Sequence, residues 1–282
     1  MYTIGQAAKL TGIPAETLRA WERRYGLTPP ERTNAGYRLY DDAALATFRE
    51  VGRLVEAGWK PREAVLALKD HDVEWLPDAR EFVEGIASGS LDLEQATATL
   101  GVRFAVQPFS RVVDEWLLPM LGFLGEEWAK GRISVEQEHE LAAALMRRLG
   151  LVFESAAVQR GGPVILMGLT EGNRHELGLM AFACIVRSAG LDVRYLGPDL
   201  PAEEWGRAAK RARPAAVVTT APSQADLPQV LAVLDAVRAI VPDVVMCVGG
   251  QRQYEVGEPV IALGHRFGEA AHSLAQRLGV AV

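Results

Sequence analysis

The chain has 282 residues, 49% apolar and 23% charged, with a net charge of −6 at pH 7, which gives material for two or three cores and excludes a disordered chain. No apolar run approaches the ~20 residues of a membrane helix, and MYTIGQAAKL lacks the basic-then-apolar pattern of a secretory leader, so a cytoplasmic protein is expected. Charge is uneven: residues 1–40 hold six Lys/Arg against three Asp/Glu, whereas residues 76–282 hold 19 against 25, the balance of a DNA-binding head on an acidic effector body.

Thr3 caps a predicted helix from Ile4, with Ala7, Ala8 and Leu10 at helical intervals. TGIP breaks it, and Pro14 suits the first turn of a second helix that carries Leu18, Trp21 and Tyr25 and closes at Gly26. LTPPERTNAGYRLY reads as a hairpin, with NAG as its turn and YRLY as the return strand. Asp41 or Asp42 then caps a helix to about Ala57, and Pro61 opens another to about Lys69. Residues 1–72 thus form a winged helix-turn-helix.

Residues 76–158 read as a bundle of about four helices. ASGSLDLEQ breaks a helix and offers a new cap at Asp92, Pro108 and Pro119 punctuate an apolar stretch to Lys130, and Ser134 starts an Ala- and Leu-rich helix. From residue 162 to 282 strands and helices alternate. PVILMGLT, DVRYLG, AAVVTTA and VVMCVGG are four apolar strands, and the helices between them imply a Rossmann-like parallel sheet covered on both faces. The fold class is therefore multidomain, α and α/β. Cys184 and Cys247 lie inside apolar runs and are expected as buried free thiols, not as a disulfide or zinc site.

Arg19 and Arg23, four apart, share a helix face and can reach phosphates or guanine edges. Arg32, Asn34, Tyr37 and Arg38 cluster beside the wing's glycine turn, suited to the adjacent DNA backbone. Any single pair of these arginines would read equally well as a solvated face. The whole string LRAWERRYGLTPPERTNAGYRLY, however, resembles the signature of MerR-family regulators. That resemblance, over residues 1 to about 70, implies a second helix in the major groove, a wing on the flanking backbone and a pseudo-palindromic double-stranded operator. The family's long antiparallel dimerisation helix is not evident, so self-association to a dimer or tetramer is expected from the rest of the chain.

Ligands of parallel sheets sit beyond the carboxyl ends of the strands, where the distinctive polar residues of this third lie. His175 can offer an imidazole nitrogen to a metal there, although a single histidine also serves as a cap or packing group. Asn173-x-His175-x-x-Gly178, then Thr220, then Gly249-Gly250, resembles the cobalamin-binding domain, whose pattern is Asp-x-His-x-x-Gly, Ser-x-Leu and Gly-Gly. The resemblance implies His175 as the lower cobalt ligand in place of dimethylbenzimidazole, with the displaced nucleotide tail passing the small residues beside the sheet. Asn173 replaces the acid that orients the histidine, and Thr220-Ala221-Pro222 keeps the hydroxyl of Ser-x-Leu but loses the leucine.

Trp128, ten residues before Glu138 and His139, completes a likeness to adenosylcobalamin-binding photoreceptor regulators of the CarH/LitR type over the whole length. It implies upper-face contacts from Trp128, Val135, Glu138 and His139, adenosylcobalamin or another cobalamin form as cofactor, and a dark oligomer that represses until light breaks the cobalt–carbon bond. One position departs: a histidine that ligates cobalt after photolysis in that family is Ala129 here, and His139 is the candidate substitute. Two other readings stand beside this one: a MerR-like regulator that senses another tetrapyrrole such as haem or no cofactor, and a corrinoid methyl-transfer protein. The winged head disfavours the latter, no nucleophile–base pair is evident, and GNRHELG is not a phosphate-cradling pattern, so no enzyme is expected. His71, His265 and His272 have no assigned role, and Trp59, Trp75, Trp116 and Trp205 are expected in packing.

Overall fold

A computed structural model describes residues 2–28, 31–32, 38–56, 60–62, 64–65, 77–105, 108–156 and 162–280. The chain divides into two compact units, Met1–Val112 with Phe123–Ala144, and Val113–Gly122 with Leu145–Val282.

In the first unit the chain enters through β1 (Tyr2–Thr3) and α1 (Ile4–Thr11). The expected cap is a reciprocal box: the Gln6 N–H donates to Thr3 Oγ1, and the Thr3 N–H donates to Gln6 Oε1. Then come α2 (Ala15–Tyr25), β2 (Glu31–Arg32), β3 (Arg38–Tyr40) and α3 (Asp42–Glu56). Pro14 stands just before α2, and Gly26 ends it in the left-handed region, which glycine enters without steric cost. Asp41, rather than Asp42, caps α3, its Oδ1 accepting the Ala44 N–H at 2.7 Å. The strands pair antiparallel in the order β1-β3-β2, with Tyr2 opposite Tyr40 and Arg32 opposite Arg38. Leu18, Trp21, Tyr40, Phe48 and Val51 are buried beneath them. The NAG turn, and most of the helix expected after Pro61, lie outside the described residues.

The helical segments that follow are α4 (Ala79–Ser88), α5 (Leu93–Ala105), α6 (Phe109–Val112), α7 (Leu118–Ala129) and α8 (Val135–Ser155). Asp92 caps α5 in a second reciprocal box with Gln95, at 2.8 and 3.0 Å. Residues Val113–Leu117 join α6 to α7 as a π-helical turn. The expected punctuation by Pro119 takes this form because proline has no N–H for the carbonyl of Glu115 four residues back, and the backbone widens there instead of breaking.

The second unit holds the sheet. Its strands are β4 (Val164–Thr170), β5 (Asp192–Leu200), β6 (Ala216–Thr220), β7 (Val245–Gly249) and β8 (Ile261–Ala262). All pairs are parallel, in the order β5-β4-β6-β7-β8. The fifth strand corrects the expectation of four: β8 is two residues long, too short for any period, and exists because its backbone finds β7, with Cys247 opposite Ile261. The helices are α9 (Glu176–Ser188), α10 (Ala202–Ala212), α11 (Leu227–Arg238) and α12 (Phe267–Arg277).

Leu166, Val217, Met246 and Val248 share a core with Trp205 and Ala209 of α10 and Val233 and Leu234 of α11. Strand alternation then turns Thr220 and Gly249 to the opposite face. Within this unit Asp114, on the π-turn, accepts the N–H groups of Phe267 at 2.7 Å and Gly268 at 3.1 Å, so a carboxylate caps α12. Both cysteines are free and buried, as expected; burial pushes the Cys247 thiol up to about 12.

Gly250 ends β7 at φ +91°, and a Cβ there would lie 2.7 Å from the carbonyl carbon and oxygen of Ala221. The glycine is needed twice over, for its conformation and for the approach of two backbones. Gly250→Ala should lower unfolding stability by at least ~2 kcal/mol, seen as a lower denaturant midpoint.

Candidate functional site

The strand order reverses between β4 and β6, where chain connections leave in opposite directions and open a crevice at the carboxyl edge. A cleft of about 160 Å³ lies there. Its lining includes His175 and Gly178 from the start of α9, Thr220 from the end of β6, and Gly249 and Gly250 from the end of β7. Five of the expected cofactor residues, separated by up to 75 positions, are thus brought together.

His175 occupies the N-cap position of α9, yet its side chain makes no capping bond and is exposed. The capping alternative is therefore set aside, and the imidazole stands as a donor at the mouth of the cleft. Among the described residues no three His, Cys, Asp or Glu side chains converge, so it is a single donor. Asn173 is 2% exposed and its Oδ1 accepts the backbone N–H of His175 at 3.1 Å. It positions the histidine through the main chain rather than through the imidazole. Asn173 Nδ2 and Thr220 Oγ1 are buried with no hydrogen-bond partner, and a buried polar atom without one costs ~1–3 kcal/mol unless something else supplies it.

Asp199 was not foreseen in the sequence. Its carboxylate accepts the Gly172 N–H at 2.8 Å and the Arg174 guanidinium at 2.9 Å, while its own N–H donates to the Asn173 carbonyl at 3.0 Å. The loop after β4 is thereby clasped to the end of β5. The residue takes a positive φ of 58°, which aspartate tolerates better than most. Gly172 and Gly197 lie in these two segments at positive φ, but nothing in the local sequence pairs the segments. Asp114 and Gln253 were also missed. Gln253, 2% exposed, receives the Gly264 N–H at 2.6 Å and fixes the loop that borders the cleft.

Trp128, Val135, Glu138 and His139 belong to the first unit, at the end of α7 and the start of α8. Trp128 is 50% and Val135 57% exposed, two large apolar side chains left to solvent, so Trp128 is not a core residue. His139 Nε2 lies 3.6 Å from Glu138. Beside Trp128, the buried Glu127 carboxylate is held by Lys130 at 3.0 Å and by Arg132, which fixes the turn between α7 and α8.

In the head, Arg19 and Arg23 are exposed on α2 while Leu18 and Trp21 point into the core. Arg38 has a second duty: its Nε donates to Glu22 at 3.0 Å, and the buried Tyr40 hydroxyl donates to the same carboxylate at 2.8 Å. Burial, then the Glu22 carboxylate, hold the Tyr40 hydroxyl well above its usual range. Arg32 stands in β2 opposite Arg38; Asn34 and Tyr37 lie outside the described residues.

The chain matches three family descriptions in succession: MerR HTH family regulatory protein over residues 2–70, and B12 binding domain over residues 84–152 and again over 163–266. With the helix-turn-helix head and the cleft-bearing sheet, this defines a cobalamin-binding transcriptional regulator of MerR type. The chain is 33% identical over 228 residues to the HTH-type transcriptional repressor CarH of Myxococcus xanthus, covering 76% of each chain. It is 32% identical over 273 residues to CarA, a repressor of the same organism, covering 95% of this chain and 92% of that one. It belongs to the family of these two regulators. A monomethylamine corrinoid protein of Methanosarcina barkeri shares the fold over 72% of this chain and 99% of its own, with a TM-score of 0.58 and 14% identity. Among the described residues no helix is long and apolar enough to cross a membrane.

Two predictions follow from these contacts. The Gly172 N–H and then Arg174 hold the Asp199 carboxyl below its usual range, so the clasp is fully present above the ordinary carboxylate value of ~3.9 and is lost as pH falls through the lower, folded one. Protection of the amides of residues 171–176, taken as exchange corrected for its intrinsic pH dependence, should fall on acidification in the unmodified chain and be low at every pH in Asp199→Ala. Glu22→Ala should destabilise the head by ~1–3 kcal/mol, because the buried Tyr40 hydroxyl loses its acceptor, and should weaken duplex DNA binding by unpinning β3 from α2; thermal denaturation and a DNA mobility shift check both.

Proposed function

We propose that this chain is an operator-binding repressor whose self-association is set by adenosylcobalamin and relieved by light. The observation that carries the cofactor part is the free imidazole of His175 at the switch point of the sheet, beside the unpartnered Thr220 hydroxyl and the side-chain-free wall at Gly249 and Gly250. These residues fit a corrinoid. His175 would hold cobalt from below, Thr220 and Asn173 would meet polar groups of the tail, and Gly178 leaves room beside the histidine, since a Cβ there would meet nothing within 4 Å. Bound, the group supplies a light-sensitive cobalt–carbon bond.

The half-exposed Trp128 and Val135, with Glu138 and His139 on the next turn, suit the upper face of such a group and would otherwise be an unexplained apolar surface. Occupancy of the cofactor would set the surface through which subunits pair. Paired heads then present Arg19 and Arg23 to two half-sites, with Arg32, Asn34, Tyr37 and Arg38 on the flanking backbone. The boundaries 1–72, 76–158 and 162–282 follow as head, cofactor-capping bundle and cofactor sheet. Both curated relatives are repressors by name, which supports repression over activation. Ala129 cannot ligate a metal, and His139 is the nearest histidine in sequence that could.

The test is an absorption spectrum of the full chain after incubation with adenosylcobalamin in the dark and again after illumination, with size-exclusion chromatography of both samples. Retained corrin absorbance, a light-induced spectral change and a change in assembly size are expected, and His175→Ala should abolish retention. Retention without any change on illumination would overturn the light response, and no retention would overturn the cofactor assignment.

A further inference from the structure

The cleft's polar inventory is short. Among its lining side chains only His175 and Thr220 carry donors or acceptors; the walls are Leu179, Phe182, Pro222, Leu263 and Phe267, with glycines between them. The Phe182 and Phe267 rings meet edge to face, centroids 5.4 Å apart and planes at 76°. Backbone groups around the cleft are largely engaged as well. Gly249 C=O accepts the Ala221 N–H at 2.9 Å, Gly250 C=O accepts the Gln253 N–H at 3.3 Å, and the Leu263 N–H donates to the Val248 carbonyl at 3.0 Å. The Gln253 side chain takes both the N–H and the carbonyl of Gly264. A flat aromatic guest therefore finds aromatic and aliphatic walls, one unpartnered hydroxyl, and little else to bond.

We infer that this cleft selects among corrinoids by their lower base, accepting an alkylated benzimidazole and disfavouring bases with polar edges, such as purines and hydroxybenzimidazoles. The inference rests on the reading of His175 as the lower ligand, which frees the base to enter the cleft. Every such base presents the bare imidazole nitrogen that cobalt releases, and the Thr220 hydroxyl can serve that atom in all of them. What differs is the far edge. The methyl groups of dimethylbenzimidazole want only the apolar contact that Leu179, Phe182 and Phe267 offer. An exocyclic amine or hydroxyl at the same edge gives up its water and meets no free partner, since the surrounding backbone groups are already bonded to each other. Discrimination by an apolar pocket against an added polar group is bounded, about ten- to a hundredfold, because the walls at that far edge have no unsatisfied groups of their own to penalise the wrong guest.

The cleanest probe keeps the cobalt chemistry constant. A purine leaves cobalt more readily than a benzimidazole does, so comparing those two mixes the strength of the broken cobalt bond with recognition in the cleft. Two benzimidazoles avoid this. The full chain is titrated in the dark with adenosylcobalamin, with its analogue bearing 5-hydroxybenzimidazole, and with adenosylcobinamide, which has no nucleotide; binding is read from the corrin spectrum. The expected result is a dissociation constant at least tenfold higher for the hydroxylated base than for adenosylcobalamin. Equal affinity for the two benzimidazoles would overturn the inference while leaving the cofactor assignment standing. Failure of all three to bind would instead overturn that assignment, and the inference with it.

Discussion

Parallel strands finish together, so the loops leaving their carboxyl edge must satisfy their own backbone groups without a neighbouring ladder. Here that constraint is met by one side chain, Asp199. Its carboxylate and its N–H bind three successive residues of the loop after β4, namely Gly172, Asn173 and Arg174, and so set where the next residue, His175, emerges. Asn173 continues the arrangement by accepting the His175 N–H, which leaves the imidazole with no intramolecular task. The donor at the mouth of the cleft is thus held entirely through its main chain. This differs from the orientation of a ligating imidazole by a carboxylate on its other nitrogen, the device that an acid at position 173 would supply.

The opposite rim is fixed by close approach. Gly250 lies against Ala221 and Pro222 with no room for a side chain, and Gln253 binds both polar groups of Gly264. The cleft wall at Phe267 is set from a third direction by Asp114, whose carboxylate receives the first two N–H groups of α12. Rigid loops on a rigid sheet suit a cofactor whose two faces must be addressed separately. They also explain why so few polar groups remain for recognition: most have been used to hold the walls in place.

A similar economy governs the head. Glu22 sits on α2 among arginines, where a lone acid would oppose DNA binding, but it is committed to Arg38 and Tyr40 of β3. One carboxylate therefore ties the wing strand to the helix that carries Arg19 and Arg23. The charge of the head and its internal bracing use the same residues, so composition alone could not separate the exposed Arg19 and Arg23 from Arg38, which also holds the fold.

Much of this was legible in the sequence because it is local. Caps at Thr3 and Asp92, the stop at Gly26, the apolar strands and their intervening helices, and the clustering of His175, Thr220 and Gly249-Gly250 at strand ends all depend on residues within a few positions or on a period. What tertiary structure alone decided is what long-range packing decides. Strand β8 has no period to read and forms only against β7. Asp199 and Asp114 lie in loops and turns whose partners are remote in sequence, so nothing local distinguishes them from solvated carboxylates. The exposure of Trp128 likewise follows from what fails to pack on it, a property of the folded surface and not of the residue. Sequence determined which elements form, β8 excepted, and which chemistry each loop carries; the fold decided which loops meet, because contact between them depends on geometry that no short stretch of chain contains.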